Sequence, residues 1–239
     1  LIKTIDWYKT NVVAQVQLHE ILRKSSSLER YVHVTTPEVY GSTQNKWIDE
    51  DSNFDPSTPY AVSRAACDMH LKSFFKAYDF PVIFTRAANV YGPGQQLYRI
   101  IPRTVLSAKC NQKLYLHGNG VSERAFIHID DVVEATMQLA HHADLGTTWH
   151  ISSNKKVSIK NLVSLICEMT GVIFDDIVQP CDERLGKDQT YLLDSTKLRS
   201  TFGWSDKTDL ESGIAQTIQW IADSIATFKT LPWDYIHKS

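Results

Sequence analysis

Two short segments, about two dozen residues apart, carry the side chains best suited to chemistry in this sequence. The first is residues 35–41, TTPEVYG, and the second is residues 59–64, PYAVSR. Together they supply a hydroxyl, a carboxylate and a phenol, with a cation one helical turn after the phenol. Such a set can remove a hydroxyl proton while a hydride leaves the same carbon atom. The two segments therefore favour oxidoreduction of a sugar carbinol over a simple binding module.

Tyr60 is the candidate base, and Arg64 carries the charge that would help it. A tyrosine has an ordinary pKa of about 10, so it needs a positive charge nearby to act near neutral pH. In a helix that begins at Pro59, Arg64 lies at i+4 on the face of Tyr60, and the helix N-terminus adds partial positive charge. The Tyr-x-x-x-Arg spacing alone also fits a surface tyrosine beside a solvated arginine. The TTPEVYG segment before it favours the functional interpretation.

The composition is that of a globular protein. The 239 residues are enough for one large or two small domains, and 43% are hydrophobic and 22% charged. The net charge of −2 gives no electrostatic reason to expect nucleic acid or a membrane as a partner. The sequence has no apolar run of about 18 residues and no secretory signal pattern. We therefore expect a cytoplasmic protein that acts on a small molecule.

Cysteine spacing gives no sign of a metal site. Cys67, Cys110, Cys167 and Cys181 form no Cys-x-x-Cys pair, and no histidine cluster accompanies them at zinc spacing. This distribution favours reduced thiols over disulfides or metal ligands.

The sequence begins at Leu1 and runs directly into a helical pattern. A glycine-rich GxxGxxG motif after an apolar strand, which would hold a dinucleotide, is absent from the 239 residues. We therefore expect that an N-terminal portion of the protein lies outside this sequence.

Hydrophobic patterning predicts strands and helices in alternation, which indicates a parallel sheet with helical crossovers. Ligands of such sheets bind beyond the carboxyl ends of the strands, and Thr36, Glu38 and Asn89 all fall there. Residues 42–57 and 89–94 are expected to be loops. The predicted helices span 6–24, 59–78 (opened by Thr58 and Pro59), 101–109, 130–141 (capped by Asp130 and Asp131), 158–171 and 210–228; the predicted strands span 31–36, 82–86, 114–118 and 125–129, the last two flanking a turn at 118–120.

The chain resembles the extended short-chain dehydrogenase/reductase superfamily, and within it the nucleotide-sugar 4,6-dehydratases of the dTDP-glucose type. The resemblance covers essentially the whole chain. It implies an α/β fold with a Rossmann-type doubly wound parallel sheet, whose glycine-rich motif would lie in the absent N-terminal part. Residues 1–98 would form the partial NAD-binding domain. Residues 99–239 would form mainly the smaller substrate-binding α/β part, with about 125–155 returning to the sheet. The matching segments are 35–41, 59–66, 89–94, 118–126, 184–188 and 202–204.

The resemblance implies a role for each residue of the first site. Tyr60 would remove the C4 hydroxyl proton during hydride transfer to NAD, and Thr36 would hydrogen-bond the same oxygen. Arg64 stands where the family has a lysine that binds the nicotinamide ribose and lowers the tyrosine pKa. Thr35 would add a cofactor contact. The change from lysine to arginine is not conservative, because the guanidinium is larger, planar and forked.

Glu38 and Pro37 bear on the kind of reaction. In the dehydratases, an aspartate and a glutamate follow the threonine: the glutamate removes the C5 proton, and the aspartate protonates the leaving C6 hydroxyl. Here Glu38 is present, but Pro37 replaces the aspartate and has no proton to donate. Glu38 therefore favours chemistry at C5 over plain C4 epimerisation. The alternative is a structural carboxylate that caps a turn.

The resemblance also implies a set of substrate-binding residues. Arg124 and Arg184 would bind the diphosphate, and Asn89 would contact the substrate. Arg99 lies where a lysine often sits on the substrate loop, although a solvated arginine fits equally. His117 could stack on the base or be a histidine at the edge of the core. The nucleobase stays open among dTDP, UDP, GDP and CDP.

These observations predict an NAD-dependent nucleotide-hexose 4,6-dehydratase that works through a transient 4-keto sugar. Alternatives within the superfamily are an epimerase, a decarboxylase or a 4-keto reductase. Pro37 and Arg64 also leave open a non-catalytic sugar-nucleotide-binding protein. We expect a homodimer formed through the helices at 6–24 and 59–78, with no metal, nucleic acid or membrane partner.

Overall fold

A computed structural model describes residues 4–182 and 190–235 of the chain. The helices are α1 (Thr4–Tyr8), α2 (Gln15–Leu22), α3 (Pro59–Tyr78), α4 (Ile100–Cys110), α5 (Ile129–His142), α6 (Ile159–Thr170), α7 (Phe174–Ile177), α8 (Thr196–Phe202), α9 (Leu210–Asp223) and α10 (Ile225–Phe228). The strands are β1 (Tyr31–Val34), β2 (Trp47–Ile48), β3 (Val82–Ala87), β4 (Asn89–Tyr91), β5 (Leu114–His117), β6 (Glu123–His128), β7 (Thr148–Ile151), β8 (Lys156–Ser158), β9 (Val178–Cys181) and β10 (Thr190–Leu193).

Parallel strands dominate the sheets, as the alternating pattern predicts. One sheet has the order β1-β3-β7, with both pairs parallel. A second has the order β2-β10-β6-β4, also parallel, and β8 joins β6 antiparallel. The strands β5 and β9 form a third, two-stranded parallel sheet. Helices cover these sheets, so the prediction of a parallel α/β architecture is confirmed.

The helix that carries Tyr60 has the predicted bounds because local signals define both of its ends. The side chain of Thr58 accepts a hydrogen bond from the backbone of Ala61 at 3.1 Å, and Pro59 occupies the first turn. At the other end Asp79 adopts the left-handed conformation that stops a helix. Tyr60 therefore lies in the first turn of α3, with Arg64 one turn later.

The helix predicted at 6–24 contains an interruption. Residues Lys9–Ala14 form a π-helical segment between α1 and α2. Within it the buried amide of Asn11 donates to the hydroxyl of Ser63 at 3.0 Å, which attaches the segment to α3. A π turn shifts the helical register, so Asn11 meets α3 without breaking the helix.

Three other predictions of local structure were wrong. The stretch that starts at Asn89 is a strand, β4, rather than a loop, because β6 pairs with it. The loop predicted at 42–57 contains β2, which exists because β10 lies beside it. His128, rather than Asp130 or Asp131, is the N-cap of α5. The buried carboxylate of Asp131 instead accepts hydrogen bonds from the backbone of Lys207 and Thr208.

A buried ion pair joins α3 to β3. Asp68 and Arg86 are both 0% exposed, and their side chains meet at 2.8 Å. Asp68 also accepts hydrogen bonds from His33 at 3.0 Å and from the hydroxyl of Thr35 at 2.9 Å. Burial alone would raise the pKa of Asp68, but the hydrogen bonds and charges of His33 and Arg86 outweigh it and hold the pKa below its ordinary value.

The pair continues into a chain of hydrogen bonds towards β7. Arg86 donates to the phenol of Tyr40 at 2.6 Å, and Tyr40 lies 2.8 Å from Nε2 of His150. Nδ1 of His150 lies 3.2 Å from the Asp194 carbonyl, which can only accept, so this nitrogen carries the proton. Nε2 is therefore the acceptor and Tyr40 the donor. Burial and the charge of Arg86 lower the pKa of His150 to about 3, in agreement with a neutral ring.

We expect Asp68→Ala to lower the free energy of unfolding by about 3–5 kcal/mol, because it leaves the buried charge of Arg86 unpaired. Glu134→Ala is the matched control: it breaks the exposed pair with Lys207 and should cost about 0–1 kcal/mol. Urea unfolding of the three proteins at pH 7 measures the difference. Equal losses in the two variants would contradict this account of the ion pair.

A histidine packed between α2 and α3 predicts loss of stability in acid. His19 is buried, stacks on His70 with ring centres 5.4 Å apart and lies 3.2 Å from the Tyr31 hydroxyl. Burial, followed by the nearby charges of His70 and His33, lowers the pKa of His19 to about 4. A lowered pKa stabilises the fold above the ordinary value of 6.5, and this contribution is lost as the pH falls towards 4.

We therefore expect His19→Phe to reduce the loss of unfolding free energy between pH 7 and pH 4.5 by something on the order of 2 kcal/mol. The exposed His142→Gln should keep the wild-type dependence. Urea unfolding at the two pH values tests this. An unchanged pH dependence in His19→Phe would show that other groups cause the acid sensitivity.

Candidate functional site

Tyr60 and Thr36 meet at the carboxyl end of β1. Thr36 follows this strand and caps the short 3-10 helix Pro37–Tyr40, accepting a hydrogen bond from the backbone of Glu38 at 3.3 Å. Tyr60 is half-buried in the first turn of α3, and its phenol shares a side-chain hydrogen bond with Thr36. The ring of Trp7 packs edge-on against it at 5.1 Å. The structure thus brings together the hydroxyl and the phenol that the two sequence segments predict as partners.

Charged groups around Tyr60 act on its pKa in opposite directions. Burial raises this pKa most strongly, and the charge of Glu38 raises it further. The charges of Arg64 and Arg99 and the hydrogen bond of Thr36 lower it. The net result lies above the ordinary value, so the phenol is protonated at neutral pH in this state of the protein. A further positive charge beside Tyr60 would make it a better base.

Arg64 reaches the same strand end. Its Nη2 donates to the backbone carbonyl of Val34, the last residue of β1, and its Nε is buried with no hydrogen-bond partner among the described residues. Val34 itself is 60% exposed. The guanidinium therefore lies at the open carboxyl end of β1, close to Tyr60.

The turn after β1 has a tight backbone. Pro37 is buried at the first position of the 3-10 helix, where its fixed φ suits the turn. Gly41 ends the turn at φ +66°, and a Cβ there would lie 2.1 Å from the backbone oxygen of Asp55. Only glycine fits this close approach. Pro37 and Gly41 thus hold Glu38 between them, with its carboxylate near enough to Tyr60 to affect the phenol.

Thr35 uses both of its hydrogen-bond donors inside the protein. The hydroxyl donates to Asp68, and the backbone N–H donates to the carbonyl of Thr85 at 2.9 Å. The predicted cofactor contact of Thr35 stays a prediction, and it would have to use its acceptor atoms.

A second group of predicted residues gathers around Tyr191, which sequence reasoning missed. Asn89 accepts a hydrogen bond from the Tyr191 hydroxyl at 3.0 Å and donates to the carbonyl of Ala125 at 3.2 Å. The guanidinium of Arg124 lies 4.3 Å from the centre of the Tyr191 ring and donates to the carbonyl of Glu123 at 2.8 Å. Tyr191 pairs with Arg124 in the register of β10 and β6. Because strand pairing this distant leaves no local pattern, the sequence offers no signal for Tyr191.

The two groups share one electrostatic environment. Burial raises the pKa of Tyr191, with opposing effects of Arg124 and Arg99 and an upward effect of Glu38. Glu38 and Arg99 therefore influence both Tyr60 and Tyr191, although Arg99 is an exposed residue at the start of α4. Predicted catalytic and substrate-binding residues thus lie within electrostatic range of the same two charged side chains.

His117 contacts other residues, at the end of β9. Its Nδ1 is 2.9 Å from the carbonyl of Asp182 and 3.1 Å from the sulfur of Cys181. Within the described part of the chain, the contacts given for His117 do not join it to Tyr60 or Tyr191, and its role at the nucleobase stays a prediction. Arg184 lies outside the described residues.

The described ranges contain no cluster of metal-ligating side chains and no membrane-spanning helix. Within residues 4–182 and 190–235, the histidine, cysteine, aspartate and glutamate side chains form no group of three or more that could hold a metal ion. The helices in these ranges are too short or too polar to cross a membrane. All four cysteines lie in these ranges and are free thiols.

The chain is similar to known sugar-nucleotide enzymes over most of its length. The family model of GDP-mannose 4,6-dehydratase matches residues 2–217. A dTDP-D-glucose 4,6-dehydratase of Bos taurus is 33% identical over 230 residues, which cover 94% of this chain and 63% of the bovine protein. A trifunctional UDP-glucose 4,6-dehydratase/UDP-4-keto-6-deoxy-D-glucose 3,5-epimerase/UDP-4-keto-L-rhamnose-reductase of Arabidopsis thaliana is 31% identical over 91% of this chain and 33% of that protein. The chain thus spans less than two thirds of either relative.

A solved structure has the same fold. The crystal structure of dTDP-glucose 4,6-dehydratase from Bacillus anthracis, in complex with NAD, superimposes with a TM-score of 0.90 at 31% identity. The match covers 95% of this chain and 72% of that one. It confirms the predicted Rossmann-type parallel α/β fold and the resemblance drawn from the sequence.

The charge of Arg64 gives a direct test of the site. We expect Arg64→Gln to raise the pKa of Tyr60, because it removes the nearest opposing positive charge. Arg64→Lys keeps the charge and should leave the pKa close to the wild-type value. NMR titration of ¹³C-labelled tyrosine, with the Tyr60 signal assigned from Tyr60→Phe, measures both. If Arg64→Gln and wild type gave the same titration curve, Arg64 would have no effect on the pKa of Tyr60.

Proposed function

The chain belongs to the GDP-mannose 4,6-dehydratase family, and on this premise we propose that it is an NAD-dependent nucleotide-hexose 4,6-dehydratase. The reaction would pass through a transient 4-keto sugar. One observation carries the proposal: the Tyr60 phenol hydrogen-bonds Thr36 within the charge environment of Arg64 and Glu38. Oxidation at one carbon and removal of a proton from the neighbouring carbon require these four side chains.

The end of β1 fits a nicotinamide ribose. Arg64 has a buried Nε without a partner among the described residues, and Val34 beside it is exposed. Tyr60 and Arg64 would hold the ribose, with Thr35 contributing acceptor atoms. When bound, NAD supplies the acceptor for the hydride that leaves C4. Its positive charge near Tyr60 would also lower the pKa of the phenol.

Tyr60 would take the proton from the C4 hydroxyl as the C4–H bond gives up its hydride. Thr36 would hydrogen-bond the same sugar oxygen and hold it in line with the phenol. The phenolate needed for this step is favoured by Arg64, by Arg99 and by the N-terminus of α3. The products of the step are a 4-keto sugar and a protonated Tyr60.

Glu38 would act next, at C5. The ketone at C4 makes the C5 proton acidic, and Glu38 would remove it while the C6 hydroxyl leaves as water. Pro37 cannot supply the proton that this leaving group needs, so we assign that proton to solvent. The hydride then returns to C6 and a proton to C5, and the product is a 4-keto-6-deoxy sugar.

The substrate would span the two groups of residues. Arg124, Asn89 and Arg99 would bind the diphosphate and sugar, with Arg184 adding a second arginine and His117 lying at the base. We assign residues 1–98 to the cofactor side and 99–239 mainly to the substrate side. We also propose a cytoplasmic homodimer formed through the helical segment 6–24 and the helix α3.

Pro37 supports a second candidate. Without an acid at this position, Glu38 could serve a decarboxylase or an epimerase of the same superfamily. A protein that binds sugar nucleotides without turnover is the candidate from another class, and both Pro37 and Arg64 favour it.

Product analysis with the full-length protein and NAD separates these candidates. We expect a nucleotide hexose to lose one water and to give a 4-keto product that absorbs in alkali. Loss of carbon dioxide would indicate a decarboxylase, and isomerisation without mass change an epimerase. Tight binding without any turnover would establish the non-catalytic alternative.

Tyr60→Phe tests the assignment of the base. Its kcat should fall by about 10³-fold while the nucleotide sugar still binds, because only the proton acceptor is lost. Tyr78→Phe is the matched control, since Tyr78 lies at the other end of α3 and is 55% exposed. Turnover of Tyr60→Phe at the wild-type rate would show that another group is the base.

A further inference from the structure

The hydroxyl of Tyr191 determines which way the Asn89 amide points. The carbonyl of Ala125 can only accept a hydrogen bond, so the Asn89 atom 3.2 Å from it must be the nitrogen. The amide oxygen therefore faces Tyr191, and the phenol must donate the bond at 3.0 Å. With this bond in place, the amide cannot flip without placing two acceptors against each other at Ala125.

This orientation makes Asn89 a donor towards a ligand. Its oxygen is engaged by Tyr191, and one amide hydrogen is engaged by Ala125. The second amide hydrogen is the donor that these two contacts leave for a ligand. Such a group suits the oxygen of a phosphate or a sugar and does not suit another donor.

Tyr191 also contacts Arg124, through a side-chain hydrogen bond at its hydroxyl and through the face of its ring. The guanidinium lies over the ring at 4.3 Å from its centre, and Arg124 is almost fully buried. Stacking on an aromatic face restricts a guanidinium to a plane and adds cation–π attraction. Arg124 is the partner of Tyr191 in the register of β10 and β6. Tyr191 therefore contacts both Arg124 and Asn89.

We infer that Tyr191 is a positioning residue that presents Asn89 and Arg124 as hydrogen-bond donors to the diphosphate of a nucleotide ligand. Its hydroxyl acts through Asn89 and through a side-chain hydrogen bond with Arg124, and its ring acts through Arg124 as well, so mutation of Asn89 isolates the contribution that runs through that residue. The inference rests on the proposed function, because that function supplies the diphosphate. The inference adds Tyr191 to the site as the residue that makes it prefer a ligand group with many hydrogen-bond acceptors.

The experiment compares nucleoside diphosphates with the corresponding nucleosides by calorimetric titration of the full-length protein. The probes are dTDP, UDP, GDP and CDP, and the diphosphate that wild type binds most tightly is carried forward. We expect Tyr191→Phe to weaken diphosphate binding by about tenfold, which corresponds to about 1.4 kcal/mol, and nucleoside binding by less than about twofold. Tyr191→Leu, which also loses the ring, should weaken diphosphate binding further. Tyr78→Phe should bind as wild type does.

A double-mutant cycle separates positioning from a general loss of structure. In an Asn89→Ala background the hydroxyl of Tyr191 can act only through Arg124, so the added effect of Tyr191→Phe should become smaller. Melting temperatures identify any variant that fails to fold. The diphosphate affinities of Asn89→Ala with and without Tyr191→Phe then give the comparison.

Three results would overturn the inference. They are wild-type diphosphate affinity in a folded Tyr191→Phe, an undiminished effect of Tyr191→Phe in the Asn89→Ala background, and failure of wild type to bind any of the four diphosphates. The proposed function fails in a different way: wild type would bind a diphosphate and turn over no nucleotide sugar. In that case the affinities still decide the role of Tyr191.

Discussion

The buried ion pair of Asp68 and Arg86 constrains the rest of this structure. Removing a charged pair from water is costly, and further hydrogen bonds to the two partners offset this cost. Asp68 accepts such bonds from His33 and Thr35, and Arg86 donates one to Tyr40, while the Arg86 Nε has no partner among the described residues. The pair therefore connects α3, β1, β3 and the turn after β1. Any relative movement of these elements would leave a buried charge without a partner.

The position of the candidate site follows from this constraint. Thr36 is the residue after Thr35, and Tyr60 lies two turns before Asp68 on α3. The contacts of Asp68 thus hold the two segments that carry the hydroxyl and the phenol. The bond of Arg86 to Tyr40 fixes the far end of the 3-10 helix that contains Glu38. Groups that would react with a substrate are placed by groups that never touch it.

Two chains of hydrogen bonds among the described residues each run in one direction. From Arg86 through Tyr40 and His150 to the carbonyl of Asp194, every bond runs in the same direction, so the protons on Tyr40 and on His150 each have one position. Tyr191, Asn89 and the carbonyl of Ala125 repeat the pattern on the second sheet. In both chains a backbone carbonyl sets the direction, because it can only accept. The first chain orders the protein interior, and the second orders side chains beside the proposed substrate.

By itself the sequence determined the elements whose ends have local signals and the chemistry that lies on them. Thr58 and Pro59 define the start of α3, and they place Tyr60 and Arg64 on one face; Ser158 and Gly171 define α6 in the same way. The alternation of strands and helices predicts a parallel sheet. Only the tertiary structure decided the strands β2 and β4, the partner of β5 and the position of Tyr191. Each of these depends on hydrogen bonds between residues far apart along the chain, and such pairing has no local pattern for a single sequence to reveal.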